Sequence, residues 1–487
     1  MLSPTRFRFL NEERSVEAAG DWAPPQSAKL WTYNLHYFDD VNAMDAPQRA
    51  GWHRALMHRW IAENPPGSGP GWEPYPLSLR IVNWIKWALA GNVLDEDSLH
   101  SLAVQVRYLA GRQERHLLGN HLFANAKALV FAGCYFDGDE AAGWMRCGMD
   151  ILAQQIPEQI LADGGHFERS TMYHALAYED MLDLANVGAA FPQAMTSWAT
   201  TMAGWQAVIA RMGRWLAAMC HPDGEIGFFN DAATGIAPAP SDLFAYARRL
   251  DYEVPVINED VVWLDGSGYI RLRLGRAVML IDVAPLGPDY LPAHGHADTL
   301  SFELSLDEQR VIVNSGTSRY GLGPKREWER ATAAHSTVEV DGQNSSEVWS
   351  GFRVARRARP FAVTIRKAGA TITVEAAHDG YRRLSGRPIH RRTWSLGPGW
   401  LAVRDEIIGR HASAVARYYF HPLIAIKLQD GHGRLNWNGA AADYSVDTGR
   451  AHLVKAYYAP AFGVTVDNNC LELRETDGQM ALALHWI

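Results

Sequence analysis

Residues 294–316 are HGHADTLSFELSLDEQRVIVNSG, and this stretch decides the fold class because its apolar and polar residues alternate. Phe302, Leu304 and Leu306 lie two residues apart, which is the period of a β-strand that buries one face. The polar residues that follow predict a turn, and 311–313 predict a second strand. The stretch therefore predicts a β-hairpin in the second half of the chain.

Similar patterns continue downstream. Short strands flank the turns KAGA at 367–370 and GPG at 397–399, which predicts two more hairpins. Regular short strands of this kind are typical of an antiparallel β-sandwich. Arginines cluster at 353–359 and at 382–392. We interpret most of these arginines as the solvated face of a sheet.

The first half of the chain has the period of helices. Trp205, Ile209, Met212, Leu216 and Met219 are spaced by four and three residues, which places them on one helix face. Comparable stripes lie at 77–88, 102–109 and 177–187. Glycine- and proline-bearing breaks separate the stripes, and no strand pattern lies between them. The chain is therefore predicted to be a helical domain followed by an all-β domain.

Composition excludes several classes of protein. The 487 residues are 47% hydrophobic and 21% charged, which is an ordinary globular mixture. No apolar run is long enough for a membrane span, and a net charge of −8 disfavours a dedicated nucleic-acid binder. The four cysteines form no CxxC pair. The N-terminus lacks a signal-peptide core, so we expect a cytoplasmic protein, or a periplasmic one if a leader has been removed.

The first candidate site is Gly119-Asn120-His121, which directly precedes an apolar helical run. Asn120 is a suitable helix cap, and capping alone is one interpretation. The other interpretation is that an amide and an imidazole point into a cleft at a helix N-terminus, where anions bind readily.

Titratable groups are dense at 163–174, DGGHFERSTMYH, where a glycine-rich loop leads into a helix that carries Glu168, Tyr173 and His174. Ser170 or Thr171 is an ordinary helix cap, and a Tyr next to a His also occurs in protein cores. So many titratable groups in one turn nevertheless favour a functional site.

His294 and His296 are the third candidate. The segment is predicted to enter a strand, and alternate residues of a strand share a face, so both imidazoles are expected to point the same way. Such a pair suits a metal or a catalytic pair. Trp72 and Arg80 lie where a loop meets a helix, and we expect them to line a substrate groove, because the faces of Trp rings also stack on sugars.

In this order, the motifs resemble those of the heparinase II/III family of polysaccharide lyases, and they cover most of residues 30–360. The motifs are WTYNLHYFDD at 31–40, WEPYPLSLRIVNW at 72–84, GNHLFANAKAL at 119–129, GGHFERSTMYH at 164–174, HGHADTLSFEL at 294–304, VNSGTSRYG at 313–321 and AHSTVEVDG at 334–342. The early part is most similar to members associated with bacterial exopolysaccharide gene clusters.

The resemblance implies an incomplete (α/α) toroid, assigned here to 1–255, followed by an antiparallel β-sandwich at 256–487. It implies an acidic, uronic-acid-containing polysaccharide as substrate, cleaved by β-elimination, with no nucleic acid and no membrane insertion. Asn120 and His121 match the positions that bind the substrate carboxylate. Tyr173 matches the catalytic base or acid, and His294 matches its partner. The further substrate-binding candidates are Trp72, Arg80, Glu168 and His174.

The resemblance also bears on cofactors. The reaction itself requires none, but His296, Asn314 and His335 match positions where some members bind a structural zinc or another divalent cation. Those members commonly carry Asp at the position of Asn314, and a neutral amide is a weaker ligand. The alternatives are that the two imidazoles bind a metal with other partners, or that they hydrogen-bond to Asn314.

Two other functions compete with a lyase. One is a glycoside hydrolase on a helical toroid that uses two carboxylates, with candidates among Glu73, Asp163, Glu168 and Asp180. The other is a polysaccharide-binding protein without activity. Only a lyase produces an unsaturated uronate that absorbs in the ultraviolet.

Overall fold

The structure is a computed structural model that describes all 487 residues. The chain divides into two compact units. The first, which we call the helical unit, comprises Met1–Gln159 and Glu179–Ile209. The second, the sheet unit, comprises Ile160–Tyr178 and Ala210–Ile487.

The helical unit begins with a small hairpin and continues as helices. The hairpin is β1 (Arg6–Phe9) and β2 (Glu12–Ser15), and the helices are α1 (Lys29–Tyr37), α2 (Ala50–Glu63), α3 (Pro74–Leu89), α4 (Glu96–Ala110), α5 (Gly119–Tyr135) and α6 (Asp139–Gln159). Two further helices, α7 (Thr171–Ala190) and α8 (Ala199–Ala218), run across the division between the units. The predicted apolar stripes lie within these helices, except that Met219 follows the last residue of α8.

The helix α5 carries the first candidate site, Gly119-Asn120-His121, at its N-terminus. Most of its residues are buried, as expected for a helix that is apolar all round. Its neighbour α3 starts with Pro74, whose ring suits the first turn of a helix. Asn120 and His121 therefore lie in the first turn of a helix that packing holds on every side.

Two antiparallel sheets dominate the sheet unit. The larger one consists of β3 (Val261–Leu264), β4 (Tyr269–Leu274), β5 (Ala277–Asp282), β6 (Phe302–Leu306), β7 (Gln309–Val313), β8 (Val338–Val340), β15 (Ala414–Phe420), β19 (Arg450–Tyr458) and β20 (Val466–Arg474). The smaller one consists of β11 (Pro360–Ala368), β12 (Thr371–His378), β13 (Ile389–Gly397), β14 (Trp400–Ile408), β16 (Ala425–Gln429), β17 (His432–Trp437), β18 (Ala440–Thr448) and β21 (Gln479–Trp486). A separate hairpin pairs β9 (Val348–Trp349) with β10 (Arg353–Val354), and two helices, α9 (Pro240–Arg249) and α10 (Pro324–Arg330), complete the unit.

One apolar core fills the space between the two sheets. Phe302 and Leu304 from the larger sheet belong to the same buried cluster as Trp394 and Leu396 from the smaller one. The three hairpins predicted from sequence are β6–β7, β11–β12 and β13–β14, and all three pair antiparallel. The predicted β-sandwich is therefore confirmed.

A buried ion pair ties the smaller sheet to segments of the larger one. Arg392 Nε lies 2.6 Å from Asp405 Oδ1, and Nη2 lies 2.9 Å from Oδ2. Arg392 Nη1 donates to the carbonyls of Leu300 and Ser336 at 2.9 and 2.7 Å, just before β6 and β8. Our interpretation of the 382–392 arginines as solvated is wrong for Arg392, which is fully buried because it satisfies these carbonyls.

The order of elements agrees with a helical half before a sheet half, since α9 ends at Arg249 and β3 begins at Val261. The compact units divide elsewhere, because 160–178 and 210–249 pack with the sheets. The boundary at 255/256 stays a prediction. None of the helices combines the length and the apolar character that crossing a membrane requires.

We expect Asp405→Asn to lower the free energy of unfolding by about 3–5 kcal/mol, because it leaves Arg392 buried without its carboxylate. Burial alone would raise the pKa of Asp405, but Arg392 and His390 lower it to about 2. The stabilisation is thus complete above pH about 4 and is lost as pH falls towards 2. Urea unfolding between pH 2 and 7 measures both effects.

The control is Asp443→Asn. Asp443 is 67% exposed and lies 3.8 Å from Arg434, so its loss should cost less than about 1 kcal/mol. Equal costs for the two variants would contradict the structural role of the buried pair.

Candidate active site

Tyr173 and His294, the two residues predicted to act together, stack face to face in the sheet unit. Their ring centroids lie 3.9 Å apart and the planes differ by 19°. Ser170 prepares this arrangement, because its hydroxyl oxygen accepts the Tyr173 backbone N–H at 3.1 Å in the first turn of α7. Before it, Gly164 has a φ of +92°, and a Cβ there would lie 2.4 Å from the Arg211 carbonyl carbon. Only glycine allows the loop to pass so close.

Glu168 holds the His294 ring. Its carboxylate hydrogen-bonds to His294 Nδ1 and the residue is only 2% exposed. Burial would raise the pKa of Glu168, but the neighbouring His294 lowers it overall, so the carboxylate is ionised and accepts the Nδ1 proton. The Nε2 atom is then the nitrogen that can take up a proton. Substrate binding by Glu168 stays a prediction, and in the structure its carboxylate orients His294.

A second tyrosine, which the sequence analysis did not single out, completes this group. The hydroxyl oxygens of Tyr320 and Tyr173 lie 3.0 Å apart. Burial, reinforced by Tyr320, raises the pKa of Tyr173 well above its ordinary value. Tyr173 is therefore a neutral phenol that can give up a proton. Tyr320 lies within the motif VNSGTSRYG, which was the available signal.

The buried Asp231 joins the segments that carry these side chains. Its carboxylate forms two bonds to the Arg326 guanidinium and accepts from His296 Nε2 at 2.8 Å. Its backbone N–H donates to the His294 carbonyl at 3.0 Å, and its carbonyl accepts the Ser170 hydroxyl. Burial opposes ionisation, but Arg326 and His296 hold the pKa of Asp231 far below its usual value. Nothing in the sequence distinguishes this aspartate from any other.

His296 does not share a strand face with His294. Residues 291–300 form a loop, and β6 begins only at Phe302, so the prediction of a common face is wrong. His296 Nδ1 instead lies 3.1 Å from His335 Nε2, and both residues are buried. These two nitrogens face each other, and the hydrogen bonds of Asn314 go to other groups.

The predicted zinc ligands are engaged in hydrogen bonds. Asn314 donates from Nδ2 to the Phe228 carbonyl at 2.9 Å and accepts at Oδ1 from the Ser336 N–H at 3.0 Å. The second nitrogens of His296 and His335 contact Asp231 and the Ala331 carbonyl. No group of three His, Cys, Asp or Glu side chains is arranged to hold a metal ion. The residues do not fit a zinc site, and zinc stays an implication of the resemblance alone.

Three predicted substrate-binding residues are structural. His174 Nε2 contacts the Met212 carbonyl at 3.0 Å, and its Nδ1 accepts the His166 N–H at 3.2 Å. Arg80 is fully buried, lies 3.7 Å from the Trp60 ring centroid and donates to Gln105 and two backbone carbonyls. Trp72 is 3% exposed and packs against Trp60. Each of these side chains is engaged in packing and hydrogen bonds inside its own unit, and substrate binding by them stays a prediction.

Asn120 and His121 form a separate cluster in the helical unit. The N-cap of α5 is Leu118 and no side chain caps the helix, so capping is not the role of Asn120. Asn120 hydrogen-bonds to the Tyr75 side chain. His121 stacks on Tyr75 with a centroid distance of 4.3 Å, and its Nδ1 lies 3.0 Å from Glu114 Oε1. Glu114, which holds His121, was not found from sequence, whereas Tyr75 lies in the segment 72–75 that was expected to line a groove.

The carboxylates considered for a hydrolase are all engaged. Asp163 accepts from the Ser267 N–H at 2.7 Å and from Gly165 at 3.0 Å, which fixes the loop before α7. Glu73 binds Tyr33 and Lys29. Asp180 binds Lys127 at 2.7 Å. With Glu168 committed to His294, the geometry does not favour a catalytic carboxylate pair.

Comparison with known proteins defines the class. Residues 52–242 match the heparinase II/III N-terminus model, and 257–477 match the heparinase II/III-like C-terminal model. The chain belongs to the heparinase II/III-like family, as its motifs predicted.

Individual relatives are distant. A heparin-sulfate lyase of Bacteroides stercoris is 24% identical over 333 residues, which are 62% of this chain and 46% of that protein. The chain thus spans less than half the length of that relative. The FtsZ-localized protein C of Caulobacter vibrioides is 24% identical over 408 residues, covering 80% of this chain and 66% of that one.

Solved structures agree on the fold. The crystal structure of heparinase III superimposes with a TM-score of 0.78 at 18% identity, covering 97% of this chain and 80% of that chain. The predicted architecture, a helical toroid followed by an antiparallel β-sandwich, is confirmed.

We expect Asp231→Asn to destabilise the protein by about 3–5 kcal/mol, because it leaves the buried Arg326 without its counter-charge. Thermal unfolding followed by near-ultraviolet circular dichroism measures the loss. The control is Asp289→Asn, which removes a 72% exposed carboxylate paired with Arg357 and should cost less than about 1 kcal/mol. An Asp231→Asn protein as stable as this control would show that Asp231 does not organise the site.

Proposed function

We propose that the protein is a polysaccharide lyase that cleaves a uronic-acid-containing polysaccharide by β-elimination. The observation that carries this proposal is the stack of Tyr173 on His294, with Glu168 holding the imidazole. A neutral phenol and an oriented imidazole supply the acid and the base that elimination requires. Family membership and the lyase named among the relatives support the same reaction.

Elimination begins with a weakly acidic proton. The C5–H bond of a uronate lies next to a carboxylate, and charge that develops there must be stabilised by hydrogen-bond donors. The resemblance assigns this task to Asn120 and His121. The helical unit supports the assignment, because Tyr75 and Glu114 hold both side chains in fixed positions.

We assign the proton transfers from the state of each group. His294 Nε2 takes the C5 proton, the C4=C5 double bond forms and the C4–O4 bond breaks. Tyr173 gives its phenolic proton to the departing O4, and this assignment follows from the raised pKa of Tyr173. The Tyr320 hydroxyl, at 3.0 Å, is placed to donate a hydrogen bond to the resulting phenolate, and the cycle closes when the proton held by His294 passes to Tyr173. The products are an unsaturated uronate and a new chain end.

The proposal is tested by screening heparan sulfate, hyaluronan and alginate for a product that absorbs in the ultraviolet. A new reducing end without this absorbance would indicate a hydrolase, and binding without any new end would indicate a carbohydrate-binding protein. Either result would refute the proposed reaction.

We expect Tyr173→Phe to lower kcat by about 10²–10⁴-fold, because the variant has no proton to give to O4. Tyr178→Phe is the matched control, since it makes the same change on the same helix in the packed interior and should leave kcat nearly unchanged. The rate of ultraviolet-absorbing product formation measures both. A fully active Tyr173→Phe enzyme would remove Tyr173 from the mechanism.

We expect Glu168→Gln to lower kcat by about 10²-fold or more with little effect on KM. An amide can donate to Nδ1, which stabilises the tautomer with its proton on Nε2 and blocks proton uptake there. Steady-state kinetics separate the two parameters. A rise in KM at constant kcat would instead restore Glu168 as a substrate-binding residue.

A further inference from the structure

The hairpin β9–β10 places an exposed aromatic ring beside the catalytic pair. Phe352, at the tip, is 38% exposed. Its ring packs edge-to-face against Tyr320 at 5.3 Å and against His294 at 6.1 Å between centroids. Phe352 thus contacts the candidate active site, the Arg326 guanidinium lies 5.4 Å from its ring centroid, and about a third of the residue is exposed to solvent.

Buried arginines hold this hairpin in place. Arg326 Nε donates to the Gly351 carbonyl at 3.1 Å, and Arg330 Nη1 lies 3.4 Å from the carbonyls of Trp349 and Arg353. Both guanidinium side chains belong to residues that are at most 1% exposed. The exposed ring is therefore attached to a backbone fixed by buried charges.

The tip also approaches the neighbouring loop closely. Gly351 has a φ of +73°, and a Cβ at this position would lie 2.6 Å from the Gly321 carbonyl oxygen. Leu322 follows in that loop and is 73% exposed, while Trp349 is 42% exposed. Leu322, Trp349 and Phe352 are the exposed apolar side chains of the hairpin and the adjoining loop, and we call these three residues the tip patch.

An exposed apolar surface beside a polar site needs an explanation. Large apolar side chains left in water lose the stabilisation of burial, and clustered ones mark binding surfaces. The ring of Phe352 is held by its neighbours and stays partly exposed, and such preorganisation lowers the cost of binding.

We propose that the tip patch binds a pyranose ring adjacent to the uronate, with the C–H face of that sugar against Phe352. The inference rests on the proposed lyase function and extends it to a second sugar of the same polysaccharide. Aromatic rings recognise such faces through their large apolar area. The patch side chains are apolar, so they select the shape of the sugar ring and not a sulfate or carboxylate on it.

The first test is kinetic. Phe352→Ala raises KM for the best substrate among heparan sulfate, hyaluronan and alginate by about tenfold, with kcat changed less than about twofold. Phe352→Trp restores KM, because it returns a flat apolar face. The matched control is Phe361→Ala, which removes an equally exposed ring (39%) from β11 and leaves KM unchanged. An unchanged KM in Phe352→Ala overturns the proposal.

A second test separates this inference from the proposed chemistry. Affinity electrophoresis through gels containing each polysaccharide is performed in the Tyr173→Phe background, where turnover is not needed. Retardation that is lost in Phe352→Ala, but not in Phe361→Ala, supports the tip patch even if no lyase product is ever found. Equal retardation of the two variants, or none for the parent, overturns the tip patch.

Discussion

The candidate site depends on one buried carboxylate, that of Asp231. Its side chain neutralises Arg326 and accepts from His296, and its backbone binds the His294 carbonyl and the Ser170 hydroxyl. Three segments distant in sequence, at 170, 294–296 and 326, therefore meet at Asp231. A buried charge is tolerated only when it is paired and fully hydrogen-bonded. Because the buried Asp231 carboxylate needs these partners, the segments that supply them are held in place. The stack of the Tyr173 phenol on the His294 imidazole follows from this arrangement.

Burial also decides the protonation states of the reacting groups. Tyr173 is removed from water and has another phenol as its neighbour, so its neutral form is favoured. Glu168 is equally buried, yet the adjacent imidazole keeps it ionised. The pKa of Tyr173 is thus raised and that of Glu168 is lowered in the same environment. Tyr173 can therefore give a proton, and Glu168 can orient a base. This separation of acid and base roles by local environment is the usual device of acid–base catalysis.

The sequence predicted the helices and strands, which depend on local periodicity, and the residues that lie in family motifs. Alternation predicted the strands around 302–313, and the stripes of apolar residues predicted the helices. Residue chemistry and family resemblance together predicted that Tyr173 and His294 act as partners. The partners of these residues were missed, because Asp231 and Tyr320 gain their roles only through contacts across long stretches of chain. Arg80 shows the converse: its charge suggested a ligand, but Nε, Nη1 and Nη2 each donate to a carbonyl oxygen inside the protein.

The comparison of Arg80 with Arg326 shows why charge alone does not identify a site. Both guanidinium groups are fully buried, and both lie against aromatic rings. The donors of Arg80 are directed at the interior of the helical unit, where they complete packing. The donors of Arg326 reach the Asp231 carboxylate and the Gly351 carbonyl. Arg326 therefore connects Asp231, which holds the loop that carries His294, to the hairpin that carries Phe352. The role of a buried arginine therefore depends on which residues its partners hold in place, and these partners are known only once the chain is folded.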